Sequence, residues 1–274
     1  MPARYHRPMP ASLPFLPVPM PSGGRVRRLL AQWWAVLLFG AVAAVYALSP
    51  SSHDTRSRDA TARLLHATTW LALPWFALLS ALISLALIRT LVVTAQSYGL
   101  SQFALEMVVR VLVLEFVPLG AALFVLLRVA LAGDLLPAPD AAGGLAPQSI
   151  AAPRWRLELV PRVLALGFAV LALAIASGVL ALVLAYTVVY GISPWGFEAY
   201  TRMVGRVFDP AVGLALGLKT ALFALTVAVV PLASALQELP AQRRAGGFAV
   251  RSGTRRVLAV LVLLQAASLA LKFL

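Results

Sequence analysis

Apolar runs approaching or exceeding twenty residues recur along this chain, and few folds can accommodate them. They cover 29–48, about 70–93, 103–132, 160–190, 211–236 and 257–274. The chain has 274 residues, of which 61% are hydrophobic and 12% charged. A soluble domain of that size has too little interior to hide so much apolar surface. Bilayer hydrocarbon is the solvent that accepts it, and there each run must satisfy its own backbone polar groups as a helix. The expected fold class is an all-α integral membrane protein.

The segments between the runs set the organisation. Residues 1–28 hold seven prolines and five arginines, a composition that reads as a disordered cytoplasmic tail. A polar connector at 49–66 follows the first run, so 29–66 forms a unit apart from the remainder, 67–274. A Pro/Gly/Ala-rich linker lies at 133–153, a loop at 191–209 and a basic loop at 238–256.

Basic residues decide whether 29–48 crosses. If it does, the cytoplasmic segments carry eight arginines and lysines and the outer segments eleven. If 29–48 is interfacial or re-entrant, the distribution becomes sixteen inside against three outside. Only the second arrangement obeys the positive-inside bias. The expectation is therefore an N-terminal interfacial or re-entrant helix plus five transmembrane helices, with the N-terminus cytoplasmic and the C-terminus on the far side. Trp33 and Trp34 suit an interfacial position. A cleaved signal peptide ending near Ala47-Leu48-Ser49 is the rival. Its apolar core exceeds the roughly 7–15 residues of ordinary signals, and cleavage would put the next arginines outside.

Composition also excludes several chemistries. The chain has no cysteine, hence no disulfide, thiolate metal site or cysteine nucleophile. His6, His53 and His66 are scattered, so no metal site is expected. The net charge of +13 lies mostly between apolar runs and points to anionic headgroups rather than nucleic acid. There is no Gly-x-x-x-x-Gly-Lys loop, so ATP hydrolysis is not expected of this chain, and no catalytic constellation stands out.

Glu115 and Lys219 are the two ionisable residues well inside apolar runs. Such residues are costly in hydrocarbon and face an interior, a partner or water. Two readings are open: a lining for a lipid pathway, with Lys219 near a headgroup phosphate, or a structural ion pair. Arg89, Arg110 and Arg128 lie near run ends, where long side chains snorkel to headgroups. Arg251, Thr254 and Arg255 precede the last run, where positive-inside topology accounts for them as readily as partner contact. Trp195, Phe197 and Tyr200 give the 191–209 loop an amphipathic, interface-seeking character. Gly167, Ala174, Gly178 and Ala181 include small-xxx-small spacings that allow close helix contact.

Two blocks carry a family resemblance. The first runs from Tyr98-Gly99 through Leu114-Glu115-Phe-Val-Pro118 to Arg128. The second includes Pro161-Arg162-Val-Leu-Ala, Tyr190-Gly-Ile-Ser-Pro194, Gly217-Leu-Lys219-Thr-Ala-Leu-Phe, Gly246-Gly247 and Arg251-Ser-Gly-Thr-Arg255. In order and spacing they resemble the MlaE/YrbE permeases, the membrane subunits of MCE-linked lipid ABC transporters. The resemblance covers 70–132 and 160–274. It implies a lipid-transporting permease in a bacterial inner membrane, with no bound cofactor of its own. Its implied partners are membrane lipid, a cytoplasmic ATPase that binds the ATP, an MCE-type periplasmic protein, and a second permease copy or paralogue. It places Glu115 and Lys219 on the lipid pathway. Arg128, Arg162, Arg251 and Arg255 fall at ATPase or headgroup contacts, and Trp195, Phe197 and Tyr200 on the periplasmic partner side. The chain departs from the family at 132–147, where three prolines and three glycines replace a short ATPase-docking helix. Weak coupling to ATP is the expectation there, and a permease-like scaffold that anchors partners without transporting is the alternative.

Overall fold

The computed structural model describes residues 69–70, 73–132, 160–237 and 248–270. The tail 1–28, the helix expected at 29–48, the connector at 49–66 and the linker 133–153 lie outside the described residues. Among the described residues the chain is entirely helical apart from short turns. Helix α1 spans Leu73–Ser97 and α2 spans Ser101–Val108. A π-helical stretch, Val109–Phe116, leads without interruption into α3, Val117–Ala132. Helix α4 is Val160–Tyr190, α5 is Phe197–Val207, α6 is Pro210–Gln237 and α7 is Phe248–Ala270.

Among the described residues four helices are long and apolar enough to cross a membrane, at Leu73–Ser97, Phe103–Leu131, Pro161–Tyr190 and Pro210–Leu232. They coincide with four of the five expected spans. The fifth expected span overlaps α7, whose first turns carry Arg251, Arg255 and Arg256 and whose continuation, 271–274, lies outside the described residues. The 191–209 loop is itself ordered, as a 3-10 turn at Pro194–Gly196 followed by α5.

Two glycines end spans by adopting a left-handed backbone. Gly99 has φ +72° and Gly191 φ +69°, a region in which a Cβ is strained. After α1 the Leu100 amide donates to the Ala95 carbonyl at 2.8 Å, which closes the helix end and turns the chain into α2.

The rod from α2 to α3 is the centre of the bundle. In its span 61% of the apolar window is buried, against 17% in α1. Helix α4 packs against α1, α3 and α6, while α7 lies on α6 and α3. Ile88, Val108, Val109, Leu112, Leu173, Phe223 and Leu261 fill the contacts between them. The outward faces are just as apolar: Trp75, Leu78, Leu82, Phe168, Ile175, Leu214 and Leu263 are all exposed. That much uncovered hydrocarbon is stable only against lipid or another apolar partner. Several hydroxyls inside the helices are satisfied locally, as in Ser177 to the Leu173 carbonyl at 2.7 Å and Thr226 to that of Leu222 at 2.8 Å.

The small residues of α4 have separable roles. Ala174, Gly178 and Ala181 are buried, and a Cβ on Gly178 would stand 3.8 Å from Val117 and 3.9 Å from Val113. Those are ordinary contacts. A Cβ on Gly196 would instead come within 2.5 Å of the Tyr190 ring, which is itself held at 5.6 Å from Tyr186 and 6.4 Å from Tyr200. Gly196→Ala should destabilise by about 1–3 kcal/mol through this overpacking, while Gly178→Ala should be nearly neutral. Thermal unfolding of the two variants in detergent checks the contrast.

Candidate functional site

Pro118 sets the local geometry. It has no N–H to donate to the Leu114 carbonyl four residues earlier, and its ring crowds that carbonyl. The helix just upstream is wound as a π-helix, Val109–Phe116, with the Val117 amide on the Leu112 carbonyl. Glu115 therefore sits at the end of a π segment, a feature often associated with functional sites. Lys219, in the middle of α6, reaches this point from across the bundle. Its Nζ donates to the Leu114 carbonyl at 3.2 Å and to Glu115 Oε2 at 2.5 Å. The ammonium also stands 5.9 Å from the centroid of Phe223, within cation–π range.

Gln265 of α7 completes the cluster by donating from Nε2 to the same Glu115 Oε2 at 2.6 Å. A carboxylate only accepts, so the amide nitrogen must face it. That leaves Gln265 Oε1 buried and without a hydrogen-bond partner among the described residues. Glu115 and Lys219 are each 8% exposed. One anion, one cation and one amide, supplied by three different helices, thus form a polar knot inside apolar packing. Phe103 and Glu115 are separated by about 18 Å of helix, so the knot lies near the middle of the apolar span Phe103–Leu131.

The sequence singles out Glu115 and Lys219, and the structure brings them together. It does not single out Gln265. The available signal was an uncharged amide within the last apolar run, which composition alone does not distinguish from a surface glutamine.

The other candidates lie elsewhere. Arg128 is in the last turns of α3, Arg162 in the first turn of α4, and Arg255 early in α7, with Arg255 exposed. Arg128 is thirteen positions from Glu115, about 20 Å along the rod, and stands apart from the knot. Arg251 belongs to α7, but its side chain is outside the described residues.

Trp195, Phe197 and Tyr200 separate at the opposite end of the bundle. Trp195 is 92% exposed and Phe197 61%, whereas Tyr200 is 7% exposed. Tyr200 donates to the Leu182 carbonyl at 2.8 Å and stands edge-on to Tyr186, with ring centroids 5.2 Å apart. It fastens α5 onto α4 and leaves the other two aromatics available to a surface.

Burial, reinforced by neighbouring Tyr190, pushes the Tyr200 hydroxyl up from 10.0 to about 12. The folded state then holds this proton more tightly than the unfolded state. Its stabilising contribution is whole below pH 10 and is lost as pH rises through about 12. Alkaline titration followed by tyrosinate absorbance should show a late-ionising tyrosine that is missing in Tyr200→Phe. That variant should also lose about 1 kcal/mol with its hydrogen bond.

Comparison with known families decides the identity. A model of the family described as Permease MlaE matches residues 61–133 and 146–271. The chain belongs to the MlaE permease family. The match takes in every described helix and omits 134–145, within the Pro/Gly/Ala-rich linker. No curated protein and no solved structure matches the chain. As an MlaE permease it is a transmembrane transporter subunit, and its apolar helices agree with multi-pass membrane residence. The polar knot is then a feature inside the membrane domain of a lipid-transport permease.

Proposed function

We propose that this MlaE permease is the membrane subunit of an ABC-type phospholipid transporter that works with a separate cytoplasmic ATPase and an MCE-type periplasmic protein. The observation that carries the reading is the Glu115–Lys219–Gln265 knot. Ionisable residues at such depth face a pathway, a partner or water, and three helices that share one charge network can part and rejoin around a polar headgroup. Lys219 meets the phosphate, and Glu115 holds Lys219 when no headgroup is present. ATP binds on the partner subunit. A second permease copy or paralogue covers part of the exposed apolar surface, and the periplasmic partner sits on the side of Trp195 and Phe197.

Five spans in a bacterial inner membrane, with a preceding interfacial or re-entrant helix, give the orientation: linker inside, α5 outside, N-terminus cytoplasmic and C-terminus periplasmic. Because the chain has no cysteine, single substitutions report it directly. In spheroplasts an impermeant maleimide should label Trp195→Cys, and should reach Ala142→Cys only after the membrane is broken. The reverse pattern overturns the orientation.

The alternative, a scaffold that anchors partners without moving lipid, is favoured by one observation. The family match breaks at 134–145, within the segment where an ATPase-docking helix is expected, and this also supports weak coupling to ATP. Native mass spectrometry of the full chain with its ATPase separates the readings. The transporter reading expects bound phospholipid that is lost in Glu115→Gln/Lys219→Met. A complex that forms but holds no lipid in either version supports the scaffold.

A further inference from the structure

Among the described residues the knot contains one cation, one anion and one buried acceptor without a donor, and these groups discriminate among headgroups. An entering headgroup must replace the 2.5 Å contact between Lys219 Nζ and Glu115 Oε2. In a low-dielectric interior each separated charge then needs a new partner, because a buried charge left alone is strongly disfavoured. A headgroup whose only charge is its phosphate compensates Lys219 and offers nothing to the Glu115 carboxylate. A zwitterionic headgroup exchanges the Glu115–Lys219 pair for two new ones.

Gln265 narrows the choice further. Its Oε1 is buried with no donor among the described residues, while its Nε2 is committed to Glu115. A primary ammonium carries three N–H donors, enough for the Glu115 carboxylate and the Gln265 carbonyl together. A quaternary ammonium carries none. We propose that the site selects lipids whose headgroup joins a phosphate to a primary ammonium, with the phosphate on Lys219 and the ammonium shared by Glu115 and Gln265. The inference rests on the reading of Glu115 and Lys219 as lining the lipid pathway. Gln265 is its specificity-determining residue.

The test uses the full chain purified in detergent and three phospholipids with identical, acyl-labelled tails. Their headgroups are phosphoethanolamine, phosphocholine and phosphoglycerol. The phosphoethanolamine lipid should bind about tenfold or more tightly than either of the others, the scale of one to two hydrogen bonds. Gln265→Leu should reduce its advantage over phosphocholine to about twofold or less, because the only group removed is the acceptor for the ammonium. Equal binding of the three lipids by the wild-type chain overturns the headgroup preference and leaves the lipid-pathway reading intact. An ethanolamine preference that survives Gln265→Leu overturns the role of Gln265. Failure of all three lipids to bind overturns the pathway reading as well.

Discussion

Lys219→Met, made with Glu115 left in place, is expected to destabilise the protein by about 3–5 kcal/mol, the scale for removing one partner of a buried ion pair. In detergent this should appear as a fall in the unfolding midpoint at roughly 2–4 °C for each kcal/mol. The loss comes less from the missing attraction than from the carboxylate that remains. Glu115 Oε2 keeps the Gln265 amide at 2.6 Å but loses the ammonium at 2.5 Å. Glu115→Gln/Lys219→Met, which neutralises both sides, should recover most of the lost stability, since replacing a whole buried pair with neutral groups is often close to neutral. If the double variant is as unstable as the single one, the cost lies in packing around Phe223 and not in the uncompensated charge.

The same double variant carries the second large prediction. It should fold and assemble, yet move lipid roughly tenfold to a hundredfold more slowly if the pair makes the charge-assisted headgroup contacts proposed for it. Lipid movement is measured with the variant and its partner proteins reconstituted in vesicles. Wild-type rates from a stable double variant would show that Glu115 and Lys219 form a structural pair only. Together the two variants separate the readings that the sequence leaves open.

Helix boundaries were legible wherever an apolar run meets a residue that must break it. The run at 160–190 coincides with α4 because Gly191 ends it in a left-handed turn, and Gly99 does the same for α1. Glu115 and Lys219 were legible because ionisable groups inside hydrocarbon-length runs are scarce. Their meeting was not, since it depends on the rotation of two helices separated by more than a hundred residues. Gln265 was illegible for the same reason, compounded by its lack of charge. The π-helical stretch follows from Pro118 only once the preceding segment is known to continue as a helix. Tyr200 reads as one more interface aromatic beside Trp195 and Phe197, until the packing of α5 on α4 turns it inward.

The proposed movement of phospholipid at the expense of ATP is open to direct measurement. It is tested most directly by reconstituting the chain with its ATPase and MCE-type partner in vesicles and following an acyl-labelled phosphoethanolamine lipid. Movement should require ATP and should be about tenfold or more slower in Glu115→Gln/Lys219→Met. An assembled, ATP-hydrolysing complex whose lipid movement is the same with and without ATP would contradict it.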